Sequence, residues 1–399
     1  MNLEFETTEN IFGHYSYSQE VSDIDFLKSI VMLDSQSRNI QGVEKLQLLM
    51  GDKFQNIGFD VQYIQNPLGV SAPLVIAERL GETSEFITFI THSDTVTRPE
   101  KVPFIIDEVQ DRVYGAGVAD DKAGLIMTYS VLEEILKEVS LKHSLRVIIS
   151  PNEELGSIGF HEIFKRLGEE STYLIGMEPA QADGTIISSR NGNRWYQLQI
   201  KGIAAHAGRF GESHLNATHE MARIINSLSH LSNDHEKMRI NFSSLKSNFD
   251  SYNTICGGIQ AKIDMRFDCF NKRNFLHDSF DKILSEEQVT CQQTGNLPLS
   301  FYSIEDDCPP MPAVNNGQLQ EIILKNIALQ GNEVNAVHSG GAADINYLSN
   351  PSNQGLDGLS AIGGNLHTKD EYIVLSSYYE RRESLLKSLK ELDRRIDIC

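Results

Sequence analysis

The sequence predicts an α/β protein: a mostly parallel central sheet flanked by helices, interrupted by a smaller α+β unit. Three observations predict it. Short apolar runs alternate with amphipathic stretches through the first half, the pattern changes to exposed alternation near residue 193, and the first pattern returns from about residue 317. At 399 residues the chain is long for one typical domain. The expected division assigns 1–192 and 310–399 to the larger unit and 193–309 to the insert.

The elements run in order along the chain. FITFIT (86–91), LRVIIS (145–150) and YLIGM (173–177) read as buried strands. Between the first two lies AGLIMTYSVLEEILKEV (123–139), where Leu125, Tyr129, Leu132, Ile135 and Leu136 share one face at a period of 3.6. Strands alternating with helices imply a largely parallel sheet. RWYQLQIKG (194–202) then alternates like a half-exposed strand. A helix over 216–231, a strand over 261–268, a helix over 274–286 and a strand over 299–306 complete the insert. CPPMP (308–312) reads as a linker. A helix in LQEIILKNIALQG, a strand in GLSAIGG (358–364) and a closing helix from Leu375 restore the first style. No internal repeat or low-complexity segment is visible.

Composition narrows the function. A hydrophobic fraction of 40% is adequate for buried cores. The net charge of -20 argues against nucleic acid and anionic membrane surfaces, which need basic patches. Cys256, Cys269, Cys291, Cys308 and Cys399 are widely spaced without a CxxC, which suits reduced thiols in a cytoplasmic protein. The start, MNLEFETTENIFG, lacks a basic segment followed by an apolar one, so no signal peptide is expected. No apolar run approaches the length of a membrane span.

In an open α/β sheet, ligands collect beyond the carboxyl ends of the strands. After FITFIT come His92 and Asp94; after LRVIIS come Glu153 and Glu154; after YLIGM comes Glu178; after GLSAIGGNL comes His367. YGAGVADDKAG (114–124) adds Asp120 and Asp121 before a helix. Each is ordinary alone: a lone H-x-D is usually loop, paired glutamates are usually solvated, and ADDKAG could be a plain helix start. Together, two histidines and several carboxylates on one sheet edge, without thiolate, suit a divalent metal such as zinc, with cobalt or manganese as alternatives. Five ligand candidates exceed the usual three of one catalytic zinc; two metals sharing a carboxylate would use all five.

HSDTV, GAGVADDKAG, PNEELGSIG, MEPA, IKGIAAHAG and NLHTKDEY, in that order, resemble the co-catalytic di-zinc exopeptidases and deacylases. That family includes glutamate carboxypeptidase, peptidase T, acetylornithine deacetylase and aminoacylase, and the wording is closest to the glutamate carboxypeptidase branch. The resemblance covers roughly residues 85 to 375. It implies that His92 and Glu178 hold one zinc, Glu154 and His367 the other, and that Asp120 and a water or hydroxide bridge them. It further implies a cis bond after Asp120, Asp94 behind His92, and Glu153 as general base for a metal-bound hydroxide. His206, in KGIAAHAGRF, would reach the active site of a partner subunit and help hold the oxyanion. The insert would then be a dimerisation domain and the protein a homodimer. Asn253, in DSYNTICGG, and Arg266, in IDMRFD, resemble substrate contacts, and Gly340 and Gly341 lie in HSGGAADINY (338–347), which resembles a glycine-rich segment whose amides line the substrate pocket. His214 stands where the family usually has glycine, and Met238 to Asn253 lacks the usual apolar, glycine-rich strand pattern.

The expected activity is hydrolysis of a small peptide or N-acyl amino acid next to a free carboxylate. N-acyl-amino-acid deacylation and aminotripeptide cleavage are the alternatives within the enzyme class. An inactive homologue serving as a binding module would be expected to lose a ligand or the base, yet all those positions are filled.

Overall fold

The computed structural model describes residues 22–394 apart from 140, 248, 287 and 314–316. Its central sheet contains β1 (Asp60–Ile64), β2 (Leu74–Arg79), β3 (Phe86–His92), β4 (Ser144–Ser150), β5 (Ser171–Gly176) and the late strand Gln354–Leu356. Across the sheet the order is β1, β2, β4, β3, β5 and the late strand. From β4 onward the neighbours are parallel, whereas β2 runs against both β4 and β1.

All residues of β3 and β4 are buried, which is why both read as unbroken apolar runs. Alternate side chains serve opposite faces. Ile87, Phe89, Val147 and Ile149 join the core under the helices Ala123–Glu138 and Leu375–Arg394, while Ile90 and Ile148 pack with Phe160 and Phe164 at the helix His161–Glu169. Leu125, Leu132 and Ile135 are buried as expected, but so is the whole first turn and a half of that helix. There a Cβ on Gly124 would lie 2.2 Å from the backbone oxygen of Met177, so only glycine permits this close approach to the end of β5.

The insert forms its own sheet from β6 (Gly192–Lys201), β7 (Arg239–Ser247), β8 (Gly258–Phe267) and β9 (Leu299–Cys308). The order is β7, β8, β6, β9, antiparallel throughout. The helices Ala217–Ser229 and Phe270–Ser285 cover one face around Tyr196, Leu198, Ile263 and Phe280. Asn193 pairs with Cys308, so the chain enters and leaves the insert side by side.

Two sequence expectations change. The segment 358–364 is not a strand of the central sheet; that strand is Gln354–Leu356, and the positive φ of Gly358 (69°) breaks the extended run before residues 359–364. Only Gly363–Gly364 is extended further on, paired with Tyr372–Val374 in a small separate sheet. The second is β7, which forms although its sequence lacks the apolar pattern: it is an edge strand, and only Ile240 in it is buried.

Candidate active site

The carboxyl ends of β3, β4 and β5 deliver the chemistry. His92 is the last residue of β3 and is almost fully buried. Its Nδ1 donates to the backbone carbonyl of Asp94 at 2.9 Å and lies 3.4 Å from that residue's carboxylate. The carbonyl therefore fixes the ring at least as closely as the carboxylate expected from the sequence. Nε2 is turned toward Asp120 Oδ1 at 2.8 Å and Glu178 Oε1 at 3.6 Å. Asp120 occupies a tight turn, Val118–Lys122, and the Asp120–Asp121 bond is cis, as the resemblance implies. Its other oxygen, Oδ2, lies 3.0 Å from His367 Nε2, which is 3.2 Å from Glu154 Oε2.

Two clusters result: His92 with Asp120 and Glu178, and Asp120 with Glu154 and His367. Within each, the donor atoms lie within 4.8 Å of one another. Glu154 Oε1 is buried and has no hydrogen-bond partner among the described residues. Among protein groups alone, the electrostatics are lopsided. Burial disfavours the charged form of His92, yet hydrogen bonds to Asp120 and Asp94 hold it well above the usual histidine value. Asp120 and Glu154 hold His367 up at about 10. Burial pushes Glu153 and Glu178 well above the usual carboxylate range, with Glu178 and Asp344 adding to the effect at Glu153. Divalent cations at these positions would offset the clustered carboxylate charge. An imidazole and carboxylate set at this spacing, with an orphaned carboxylate oxygen and a shared aspartate, fits divalent metal ions.

Asp94 and several residues that the sequence did not single out hold these groups in place. The Asp94 carboxylate accepts from the backbone N–H of Glu153 at 3.0 Å and of Glu154 at 3.3 Å, which ties the paired glutamates to the end of β3. Glu371 is buried and accepts from the N–H groups of Gly117, Ala119 and Asp120. Burial pushes Glu371 up to about 7 even so. Lys122, beside it, is fully buried, donates to the Leu33 carbonyl at 3.2 Å, and is driven down to about 7 by burial. Asp357 accepts from the Glu178 backbone at 3.3 Å and pairs with buried Arg190 at 2.7 Å. Asp357 directly follows the true last strand, so the strand-end rule would have found it with the strand correctly placed. Glu371 lies within the quoted NLHTKDEY, but nothing local signals its role.

The remaining expected residues lie elsewhere. His206 and Asn253 are exposed neighbours on the insert, their side chains 3.5 Å apart and their segments joined by Ala207 N–H to Asn253 O at 2.8 Å. No hydrogen bond or ion pair links either to the metal-type cluster among the described residues. Arg266 pairs with Asp264 at 3.0 Å, opposite Asn193 at the root of the insert. Gly340 and Gly341 are exposed, and a Cβ on Gly340 would meet open space.

Comparison with known proteins places the chain among others. Residues 88–391 match the model of peptidase family M20/M25/M40. Carboxypeptidase G2 of Pseudomonas sp. (strain RS-16) is 23% identical over 385 residues, 94% of this chain and 90% of the other. Succinyl-diaminopimelate desuccinylase of Gluconobacter oxydans (strain 621H) is 23% identical over 349 residues, 83% and 88% of the two chains. The crystal structure of a tripeptidase from Staphylococcus aureus subsp. aureus mu50 shares the fold with a TM-score of 0.76 at 19% identity, covering 93% of this chain and 98% of that one.

Proposed function

The chain belongs to peptidase family M20/M25/M40, and from that premise we propose that it is a di-zinc amidohydrolase, carboxypeptidase-like, cleaving a peptide or N-acyl amide bond beside a free carboxylate. One observation carries the reading: the Asp120 carboxylate faces His92 through one oxygen and His367 through the other. His92 and Glu178 would hold one zinc, Glu154 and His367 the second, and Asp120 both, with cobalt or manganese as substitutes. When bound, such ions polarise the scissile carbonyl and acidify water.

The chain's own residues do the rest. Glu153 takes the proton of the attacking water onto its carboxylate and returns it to the leaving nitrogen. Water thereby adds O–H to the carbonyl carbon, the C–N bond breaks, and the carboxylic acid formed passes its proton to the amine, leaving a carboxylate and an ammonium group. Asp94 holds the His92 ring and the Glu153 and Glu154 backbones at once. Asn253, Arg266, Gly340 and Gly341 would bind the substrate, with Arg266 leaving Asp264 for the substrate carboxylate. His206 would act from the partner subunit of a homodimer, since it is exposed and apart from the cluster in its own chain.

Likeness to carboxypeptidase G2 over 94% of this chain supports a free C-terminal carboxylate on the substrate. The desuccinylase and tripeptidase relatives keep N-acyl amino acids and tripeptides as alternatives. The test is a hydrolysis panel with zinc: dipeptides and N-acyl forms ending in glutamate, other N-acyl amino acids, and tripeptides. Turnover of the first group is expected, reduced about 100-fold or more by E153A, as for loss of a general base. Turnover within a few fold of wild type in E153A would remove the mechanism. Cleavage confined to tripeptides or N-acyl amino acids would move the substrate, and no cleavage at all would favour a binding module.

A further inference from the structure

We propose that Asp344 is a positioning residue: through Ser157 it fixes the loop that presents Glu153. The inference rests on the general-base role proposed for Glu153. Ser157 ends the Asn152–Gly156 loop in a left-handed conformation, φ 48°, which costs energy for any residue with a Cβ. Something must hold it there. Its N–H closes the loop onto Asn152 O at 2.9 Å. Its hydroxyl donates to Asp344 Oδ1 at 2.5 Å and meets Ser150 Oγ, at the end of β4, at 3.0 Å. Both residues are buried, Ser157 at 0% and Asp344 at 4% exposure.

The loop is therefore pinned twice. Asp94 holds its front through the Glu153 and Glu154 amides, and Asp344 holds its back through Ser157. Asp344 and Glu153 line one small cavity together with His92, Glu178 and Asp357. A plain structural role for Asp344 is poorly supported. It precedes the short helix Ile345–Leu348, yet its side chain makes no capping hydrogen bond to that helix. Among the described residues no basic group forms an ion pair with it, and its Oδ2 is buried without a partner. A buried carboxylate oxygen left unpaired is costly, and a well-packed apolar residue would avoid that cost. Burial accordingly holds Asp344 up at about 6 despite the hydrogen bond from Ser157.

Position in the chain gives the link its use. Asp344 follows Gly340 and Gly341, so one short segment joins the expected substrate amides to the catalytic loop.

The experiment compares D344A, D344N, S157A and S157A/D344A with wild type, each loaded with zinc. If the link positions Glu153, D344A and S157A lower kcat about 10- to 100-fold with KM changed less than about threefold, the scale expected of a misplaced catalytic group. Bound metal per chain is unchanged, and the double variant is no worse than the poorer single one, because both remove one link. D344N keeps an oxygen for Ser157 and stays within about threefold of wild type by the same logic. Wild-type kcat in S157A, multiplying losses in the double variant, or D344N as impaired as D344A would each overturn the proposal. S157A removes one hydroxyl and keeps the test open where D344A fails to fold. Amide hydrogen exchange over 152–157 separates this idea from the proposed function. It should speed about tenfold or more in S157A and D344A even if no substrate is found, and unchanged exchange overturns the proposal.

Discussion

Glu153 and Glu154 are adjacent in the chain and hold their backbones on the same carboxylate, yet they face different company. Glu154 Oε2 lies 3.2 Å from His367, and its other oxygen is buried and unpaired among the described residues. Glu153 lies in the field of His92, Glu178 and Asp344 and forms no hydrogen bond or ion pair with His367 among the described residues. The two should therefore fail differently. E154Q should lose about one of two metal equivalents, because half of a shared site loses a ligand. E153Q should keep both and lose turnover by about two orders of magnitude or more. Metal analysis of dialysed protein beside steady-state kinetics decides it, and equal metal loss in both variants would contradict the division. The raised proton affinities give a second expectation. His367, held up at about 10 by Asp120 and Glu154, must shed its proton to become a ligand. Zinc affinity should therefore rise with pH up to about 10 and level off above it, with proton release visible in titration calorimetry across buffers of different ionisation heat.

At the scale of elements, the site depends on three strand ends and one turn clamped from a distance. Glu371, next to the short strand Tyr372–Val374, grips the Val118–Lys122 turn by three backbone N–H groups. E371Q should weaken zinc affinity about 10- to 100-fold, the usual cost of losing an outer-shell partner. It should also change the acid limb of stability. The folded pKa of Glu371 is raised from 4.5 to about 7, so the folded state binds the extra proton. Stability from that proton is present below pH 4.5 and is lost as pH rises through about 7. Metal-free wild type should thus lose Tm across that interval and E371Q should lose less; parallel curves would count against it. The sequence announced β3, β4 and β5 because these strands are buried on both faces, and it announced His92, Glu153, Glu154 and Glu178 at or just beyond their carboxyl ends. It hid Asp357, because Gln354–Leu356, three residues with a glycine at the centre, is too short to register as a strand. It hid β7, whose single buried residue gives no alternation, and the edge pair β1 and β2, which no expectation covered. Glu371 and Asp344 act on backbone or hydroxyl groups far away in the chain, and no local pattern encodes that.

At the scale of the whole molecule, the insert stands on two adjacent strands, and its His206 and Asn253 form an exposed pair away from the cluster of their own chain. Either the insert swings inward or a second chain supplies that pair; the homodimer reading takes the second course. Mixing two inactive variants distinguishes them. H206A keeps Glu153 and the metal ligands, while E153A keeps His206. If His206 acts only within its own chain, every site in the mixture lacks one group and no activity returns. If it acts across a two-fold interface, each mixed dimer contains one site with both groups and one with neither. Refolded or co-expressed at equal amounts, half the dimers are mixed, so activity per chain should return to about a quarter of wild type. Sedimentation at the assay concentration must show dimers for the result to bear on the interface. Recovery near zero in a demonstrated dimer would leave His206 to its own chain and make the hinge at Asn193 and Cys308 the element that brings it to the metals.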